Sequence, residues 1–324
     1  INDVVTTGLA KMISNSLDTL QVHLDPSRTQ KGNATPLFEI DLDLRDRRVT
    51  FIPELGLYDD NDASHTGVRN FTRGWITGML ACACSFRRID TGEGTYRREL
   101  LEHPEVQRDF AQVTKLLLST EAEANKVREQ FAVYNYLWDT DMAQEFAQFL
   151  GQAVVTRKRR LGGPSSNSSA SLRTHTEVTI DLALFDAKIT EFNKIQSEIS
   201  ELRTIYEIDY LRVNATPIKQ TVWAWVAKWV NMYTQFLQDH IDQQLRQHYE
   251  FTQAAIAGLD QPVEGDRASL MAVMTHIMEV RDRIPVMSTF FHPLADIIAL
   301  MKRHAIPLDL AMVGESNAMD YMET

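Results

Sequence analysis

The chain has 324 residues, enough for one long domain or two ordinary ones, and its 44% hydrophobic and 24% charged content is that of an ordinary globular protein. A net charge of −11 excludes the basic surface that nucleic-acid binding needs, and it argues against docking on another strongly acidic surface. The longest apolar run, "WITGMLACAC", falls short of the roughly 18 residues of a membrane span, and two cysteines, Cys82 and Cys84, are too few for a disulfide framework.

Ile1 opens without a Met and reads at once as helix, which points to a piece of a longer protein. "DVVTTGLAKMISNSLDTLQVHL" places Val5, Leu9, Met12, Ile13, Leu17 and Leu20 on one side of that helix, and Pro26 ends it. The next stretch changes period. In "PLFEIDLDLRDRRVTFIPEL", Phe38, Ile40, Leu42 and Leu44 alternate with Glu39, Asp41 and Asp43, and Val49 and Phe51 resume the alternation after "RDRR". This predicts a two-stranded β-hairpin over about 37–53, with Phe38, Ile40 and Phe51 on the face that must lie against helices.

Ser64 or Thr66 is positioned to cap a helix over "GVRNFTRGWITGMLACACSFRRI". Pro104 suits a first helical turn, and helical periodicity continues to Leu150, with "WDTD" as an interruption where Asp139 or Thr140 can start a new helix. The segment 157–176, rich in Gly, Ser and Arg, reads as a flexible linker, and its Arg157–Arg160 run as a solvated loop. Val178, Leu182, Phe185, Ile189, Phe192, Ile195, Ile199, Leu202 and Tyr206 then step by three or four. They predict one helix of roughly 30 residues, about 45 Å long.

Pro217 opens a helix that holds three of the five tryptophans. On it Val222, Trp225, Val226, Trp229, Val230, Met232, Tyr233, Phe236 and Leu237 share one side, an apolar arc of about 180° with Trp223 at its border. Only Lys219 and Lys228 accompany the aromatics, too few for a nucleic-acid platform, and the far side is Ala, Asn and Gln rather than cationic as at a membrane interface. Trp225, Trp229, Tyr233 and Phe236 are therefore core candidates in a bundle; the same aromatic face also suits docking with another chain. Helices over about 266–283 and 285–304 follow, and 311–324 is a polar terminal segment.

The fold class is thus all-α, an elongated series of helical bundles with one small hairpin. Its parts are 1–156, the linker 157–176, a long-helix bundle over 177–310, and the terminal segment. Chemistry is sparse. There is no GxxxxGK, no HExxH and no metal-ligand spacing among the nine histidines, so no catalytic, cofactor-binding or metal residue is assigned.

Four stretches resemble axonemal dynein heavy-chain tails. They are "YLRVNATPIKQTVWAWVAKWVNMYTQFLQDHI", matching at Leu211, Arg212, Pro217, Lys219, Gln220, Val226, Lys228 and Trp229; "PLFEIDLDLRDRRVTFIPEL"; "VYNYLWDTDMAQEFAQFL"; and the run from "VMTHIMEVRDR" to "FHPLADIIALMKRHAIPL". They cover most of the chain in the family's order. Ile284-Pro285 and the Ser-rich insert depart from the family pattern. The resemblance implies a non-enzymatic tail segment upstream of the linker and ATPase motor. Its implied partners are dynein intermediate chains, other heavy chains, light chains or docking proteins of the ciliary or flagellar axoneme, with no nucleic acid and no membrane. The alternative is a rod-like tether or scaffold of membrane traffic, in which no hairpin is expected at that position.

Overall fold

The computed structural model describes residues 1–25, 36–56, 67–90, 92–160, 174–260, 267–288 and 291–307. Pro26, the Ser64 and Thr66 caps, the middle of the 157–176 segment and the 311–324 segment lie outside the described residues. The chain divides into two compact units, Ile1–Thr140 with Ser197–Trp225, and Asp141–Gln196 with Val226–Thr324. The expected cut at 157–176 falls inside the second of these.

In the first unit α1 (Asn2–Leu24), α2 (Val68–Cys84), α3 (Arg97–Leu101) and α4 (Pro104–Ala132) pack together. Leu9, Ile13, Leu17, Leu20 and Leu24 are the buried stripe of α1, and Val106, Val113, Leu117, Ala124, Val127 and Phe131 that of α4. A polar clamp joins the two helices: the Ser14 hydroxyl donates to Asp109 Oδ2, and Gln21 Nε2 donates to the Asp109 carbonyl at 3.3 Å.

The predicted hairpin is present as β1 (Phe38–Arg45) and β2 (Arg48–Ile52), but it does not stand alone. β5 (Ile205–Ile208) and β6 (Leu211–Asn214) complete a four-stranded sheet in the order β2-β1-β6-β5. β1 and β6 run parallel, with Phe38 opposite Leu211 and Ile40 opposite Val213. Period-2 alternation decides which face is buried. Ile40, Leu42, Val49, Phe51, Leu211 and Val213 lie inward, while Glu39, Asp41, Arg212, Asn214 and Glu207 form the polar face. α4 covers the inner face: the Arg128 guanidinium sits 6.0 Å over the Phe51 ring, and Tyr206 Oη donates to Gln130 Oε1 at 3.4 Å.

After α4 come a short 3-10 turn (Val133–Asn135) and α5 (Tyr136–Asp139). α6 (Met142–Ala153) is capped by Asp141 rather than by Asp139 or Thr140, its side chain accepting from the Ala143 and Gln144 amides.

Two expectations about the second half are corrected. Residues 157–160 and 174–176 are not linker: they belong to β3 (Val154–Arg160) and β4 (Thr174–Ile180), an antiparallel pair with Val154 opposite Ile180. The long helix over 178–206 is α7 (Leu182–Glu201), of 20 residues. Val178 and Tyr206 belong to strands at its two ends. Asp181 stops the strand and starts the helix, its Oδ1 accepting the Ala183 amide at 3.1 Å. At the other end Asp209, at φ 48, turns the chain between β5 and β6.

α8 (Thr216–Leu259) has 44 residues, longer than the tryptophan segment that predicted it. Asn214 Oδ1 accepts the Thr216 amide at 3.0 Å and so ends β6 and begins α8 together. α9 (Arg267–Ser288) and α10 (Phe291–Arg303) complete the second unit, whose α10 buries Leu294, Ile297, Leu300 and Met301. The class is mainly α, with more strand than a single hairpin.

Candidate functional site

Three of the four signature stretches converge on one junction in the first unit. The hairpin turn has two left-handed residues, Asp46 at φ 49 and Arg47 at φ 62. Such a pair gives the type I′ geometry that matches strand twist, at a steric cost for residues other than Gly, Asn or Asp. Trp138 of the "YLWD" stretch, 1% exposed, donates its indole N–H to the Arg47 carbonyl at 3.1 Å and holds that turn. On the polar face, Arg212 Nη1 donates to Glu39 at 2.8 Å and Asn214 Nδ2 to Asp41 at 2.8 Å, across 173 residues of chain. Beneath the β5–β6 turn, the buried Thr120 hydroxyl of α4 donates to Asp209 Oδ2 at 2.7 Å. Arg69 of α2 makes a two-pronged ion pair with Glu121, one prong 2.8 Å long. The result is a cross-braced joint, built of strand pairing and single side-chain anchors.

The second unit has an aromatic core. Tyr233, 1% exposed, meets Phe149 at 4.9 Å and Phe146 at 5.3 Å between ring centroids, both edge to face. Trp229, 3% exposed, stacks on Phe192 at 5.6 Å, and Phe185 stacks on Phe236 at 5.8 Å. Rings from α6, α7 and α8 thus interlock in the offset and T-shaped arrangements that their quadrupoles favour. Burial, with Glu145 and Glu191 nearby, pushes the Tyr233 hydroxyl up to about 12, so it stays a neutral phenol.

Of the seven core candidates, Trp229, Tyr233, Ile40 and Phe51 are buried, and Trp225, Phe236 and Phe38 are half-buried. Trp223, placed at the border of the arc, is 47% exposed. The fully buried line on α8 is narrower than the predicted arc: Ile218, Val222, Val226, Trp229, Tyr233, Leu237 and Ile241, one residue every three or four.

A polar latch in the second unit has no sequence signature. His304 Nε2 lies 2.6 Å from Asp186 Oδ1, and its Nδ1 lies 3.3 Å from Asn193 Nδ2. Arg303 donates to the other Asp186 oxygen at 2.8 Å. The hydrogen bond from His304, aided by Arg303, holds the Asp186 carboxyl below its usual range. A His–Asp pair is two-thirds of a hydrolytic triad, but here the second ring nitrogen is taken by an amide rather than by a nucleophile. The contact fastens the end of α10 to α7.

Other surfaces offer little chemistry. An open depression of about 590 Å³ beside the hairpin is lined by Arg45, Asp46, Arg48, Thr50 and Glu54 among others, with mixed charge and no nucleophile–base pair. Among the described residues no group of His, Cys, Asp and Glu is placed to hold a metal ion, and no helix is long and apolar enough to cross a membrane. Phe71 and Trp75 on α2 are about half exposed, their rings 5.6 Å apart and continuous with Phe38 at 5.6 Å from Phe71.

No family model matches the chain. Comparison with curated proteins does find relatives. The chain is 25% identical over 336 aligned positions to a dynein beta chain of the flagellar outer arm from Chlamydomonas reinhardtii, covering 95% of this chain and 7% of that one. It is 27% identical over 314 positions to human dynein axonemal heavy chain 17, with coverage of 94% and 6%. A ciliary dynein beta chain of Tripneustes gratilla is 26% identical over 309 positions, with coverage of 94% and 7%. The chain is therefore homologous over nearly its whole length to axonemal dynein heavy chains, and it spans about 7% of the length of those relatives.

Proposed function

We propose that this homologue of axonemal dynein heavy chains is a segment of a heavy-chain tail: a non-enzymatic, force-transmitting scaffold in the axoneme of a cilium or flagellum. In this reading it joins an ATP-driven microtubule motor, carried elsewhere in the parent chain, to intermediate chains, neighbouring heavy chains, light chains or docking proteins on the doublet microtubule. The carrying observation is the alignment, which covers 95% of this chain with one kind of protein. The same relatives do not favour a membrane-traffic tether.

The architecture supports a mechanical part. The junction of β1, β6, Trp138 and Thr120 ties distant stretches of sequence with many bonds that must break together. The ring cluster around Tyr233 does the same through packing. Neither contains a reactive group placed to act on a substrate.

Salt extraction of axonemes tests the proposal. The protein carrying this segment is expected to leave the doublets together with the dynein arms, and the isolated segment is expected to turn over no ATP. Recovery with membranes instead, or ATP hydrolysis by the isolated segment that survives repurification, would overturn it.

A further inference from the structure

Helix α9 turns its apolar side outward. At 100° per residue, Leu270, Met271, Ile277 and Met278 all fall within about 60° of Met274. Each of these five side chains is about half exposed, Met274 at 51%. The other side of the helix is already engaged. His276 Nε2 lies 3.2 Å from the Ala255 carbonyl of α8, and the Arg283 guanidinium sits 5.3 Å over the Phe251 ring. A Cβ at Gly258 would stand 2.2 Å from the His276 ring, so only glycine permits this approach. Rolling the stripe inward would break all three contacts. A contiguous apolar face of this kind marks an interaction site, and methionine suits one, being unbranched and polarizable.

Charge decides the occupant. Arg267 and Arg281 lie on the same line as Met274, one at each end of the stripe. No carboxylate lies between them on that face; Asp282, 3.8 Å from Arg281, stands at its edge. A second copy of α9, laid antiparallel about Met274, would bring Arg267 of each helix against Arg281 of the other, which opposes self-pairing. A membrane-surface helix carries a solvated cationic face beside its apolar one. Here the side away from the stripe carries Glu279 and touches α8 through His276 and Arg283, so it is no free cationic face.

We propose that α9 is a docking face for an acidic amphipathic helix of another polypeptide chain. The apolar stripe of that helix lies along Leu270 to Met278. Carboxylates near its two ends meet Arg267 and Arg281, which are about 21 Å apart at 1.5 Å per residue. Two fixed charges flanking an apolar seam set register and orientation as well as affinity. This inference rests on the scaffold reading for why a docking face belongs here. Its test involves no axoneme, so it holds or fails separately from that reading.

The probe is a labelled synthetic helix of about 18 residues, long enough to span both arginines, with Leu at the seam positions and Glu at the two ends. A second peptide carries Lys in place of those Glu residues. Anisotropy titration of the whole 324-residue chain is expected to show saturable binding of the Glu peptide. Binding is expected to weaken by roughly tenfold in Arg267→Glu with Arg281→Glu, and the Lys peptide is expected to gain in that variant. Met274→Glu should abolish binding of both. Because the stripe is exposed, none of these changes is expected to disturb the fold, and unchanged circular dichroism would establish that. Equal binding of the two peptides to the unaltered chain would mean mere stickiness and overturn the proposal. So would Met274-dependent capture by anionic vesicles, or self-association that Met274→Glu abolishes.

Discussion

Helices α8 and α9 carry the same kind of apolar periodicity and use it in opposite ways. Between Val226 and Ile241, α8 lays its stripe under the rings of α6 and α7, and Tyr233 and Trp229 are almost wholly enclosed. On α9 the half-buried positions are Ser269, Val273, His276 and Val280, while Leu270, Met271, Met274, Ile277 and Met278 are about half exposed. The difference lies in what is available to cover each stripe. Burial of an apolar face stabilises by about 25 cal/mol per Å², so an inward stripe holds the fold and an outward one is free to hold something else. Periodicity reports that a stripe exists; only packing says which use it has.

The comparison breaks most visibly if the α8 stripe can be cut without loss. Trp229→Ala removes a ring stacked on Phe192 and leaves a void among rigid neighbours. The expected cost is about 3–5 kcal/mol, the range for buried aromatic truncations. A urea midpoint followed by circular dichroism measures it, together with faster amide exchange in peptides from α6 and α7, whose rings lose their partner. A loss below about 1 kcal/mol would put Trp229 in the class of surface residues and undo the contrast.

His240 sharpens the same contrast through pH. It lies on α8 beside the buried stripe, and burial holds its imidazole below the usual value of 6.5. The neutral form is therefore favoured in the folded chain. As pH falls through the unfolded value, the unfolded chain takes up its proton first, so stability is complete above that pH and declines as pH drops toward the folded value. Amide exchange of peptides around 236–244 is expected to quicken on acidification from about pH 7 to pH 5.5, and His240→Gln is expected to remove most of that change. Acidification that affects the unaltered chain and the variant equally would show that other groups carry the effect.

The legibility of these features in sequence divides along physical lines. The hairpin was readable because Phe38 to Phe51 alternates cleanly over enough residues to exclude a helix. β5 and β6 were not, because four-residue strands such as "IYEI" fit the end of a three-four seam as well as they fit a strand. Tyr206 therefore reads as the end of that seam, and Val178, four residues before Leu182, reads as its start. β3 and β4 escaped because "VVTRKRR" and "THTEVTI" are polar and lie beside a Gly/Ser-rich run, so composition pointed to a loop. The Trp229 and Tyr233 core was visible as a wide apolar arc, though Trp225 and Phe236 proved to be its half-buried flanks. The latch leaves no trace, since His304 stands more than 100 residues from Asp186 and Asn193 and no periodicity links it to them. For α9 a helix is legible, but it runs on through Pro285 to Ser288, past the expected break at 283–285, and the direction its stripe faces is not legible.

The smallest expected effect is the one that most directly separates the two stripes. Met274→Ala removes a side chain with the same kind of apolar contacts in prospect as those on α8, but about half of it stands in solvent. Its partners, if the docking inference holds, are on another molecule. The stability of the isolated chain is then expected to change by no more than about 0.5 kcal/mol, against several for Trp229→Ala, because no internal cavity opens. The same substitution is expected to weaken binding of the Glu-ended probe helix by several-fold, since a side chain central to an interface loses its contacts there. Calorimetry of the isolated chain and of its mixture with the probe measures both quantities on one preparation. A large loss of stability with no change in binding would mean that α9 faces inward in solution, and the two helices would then differ only in degree.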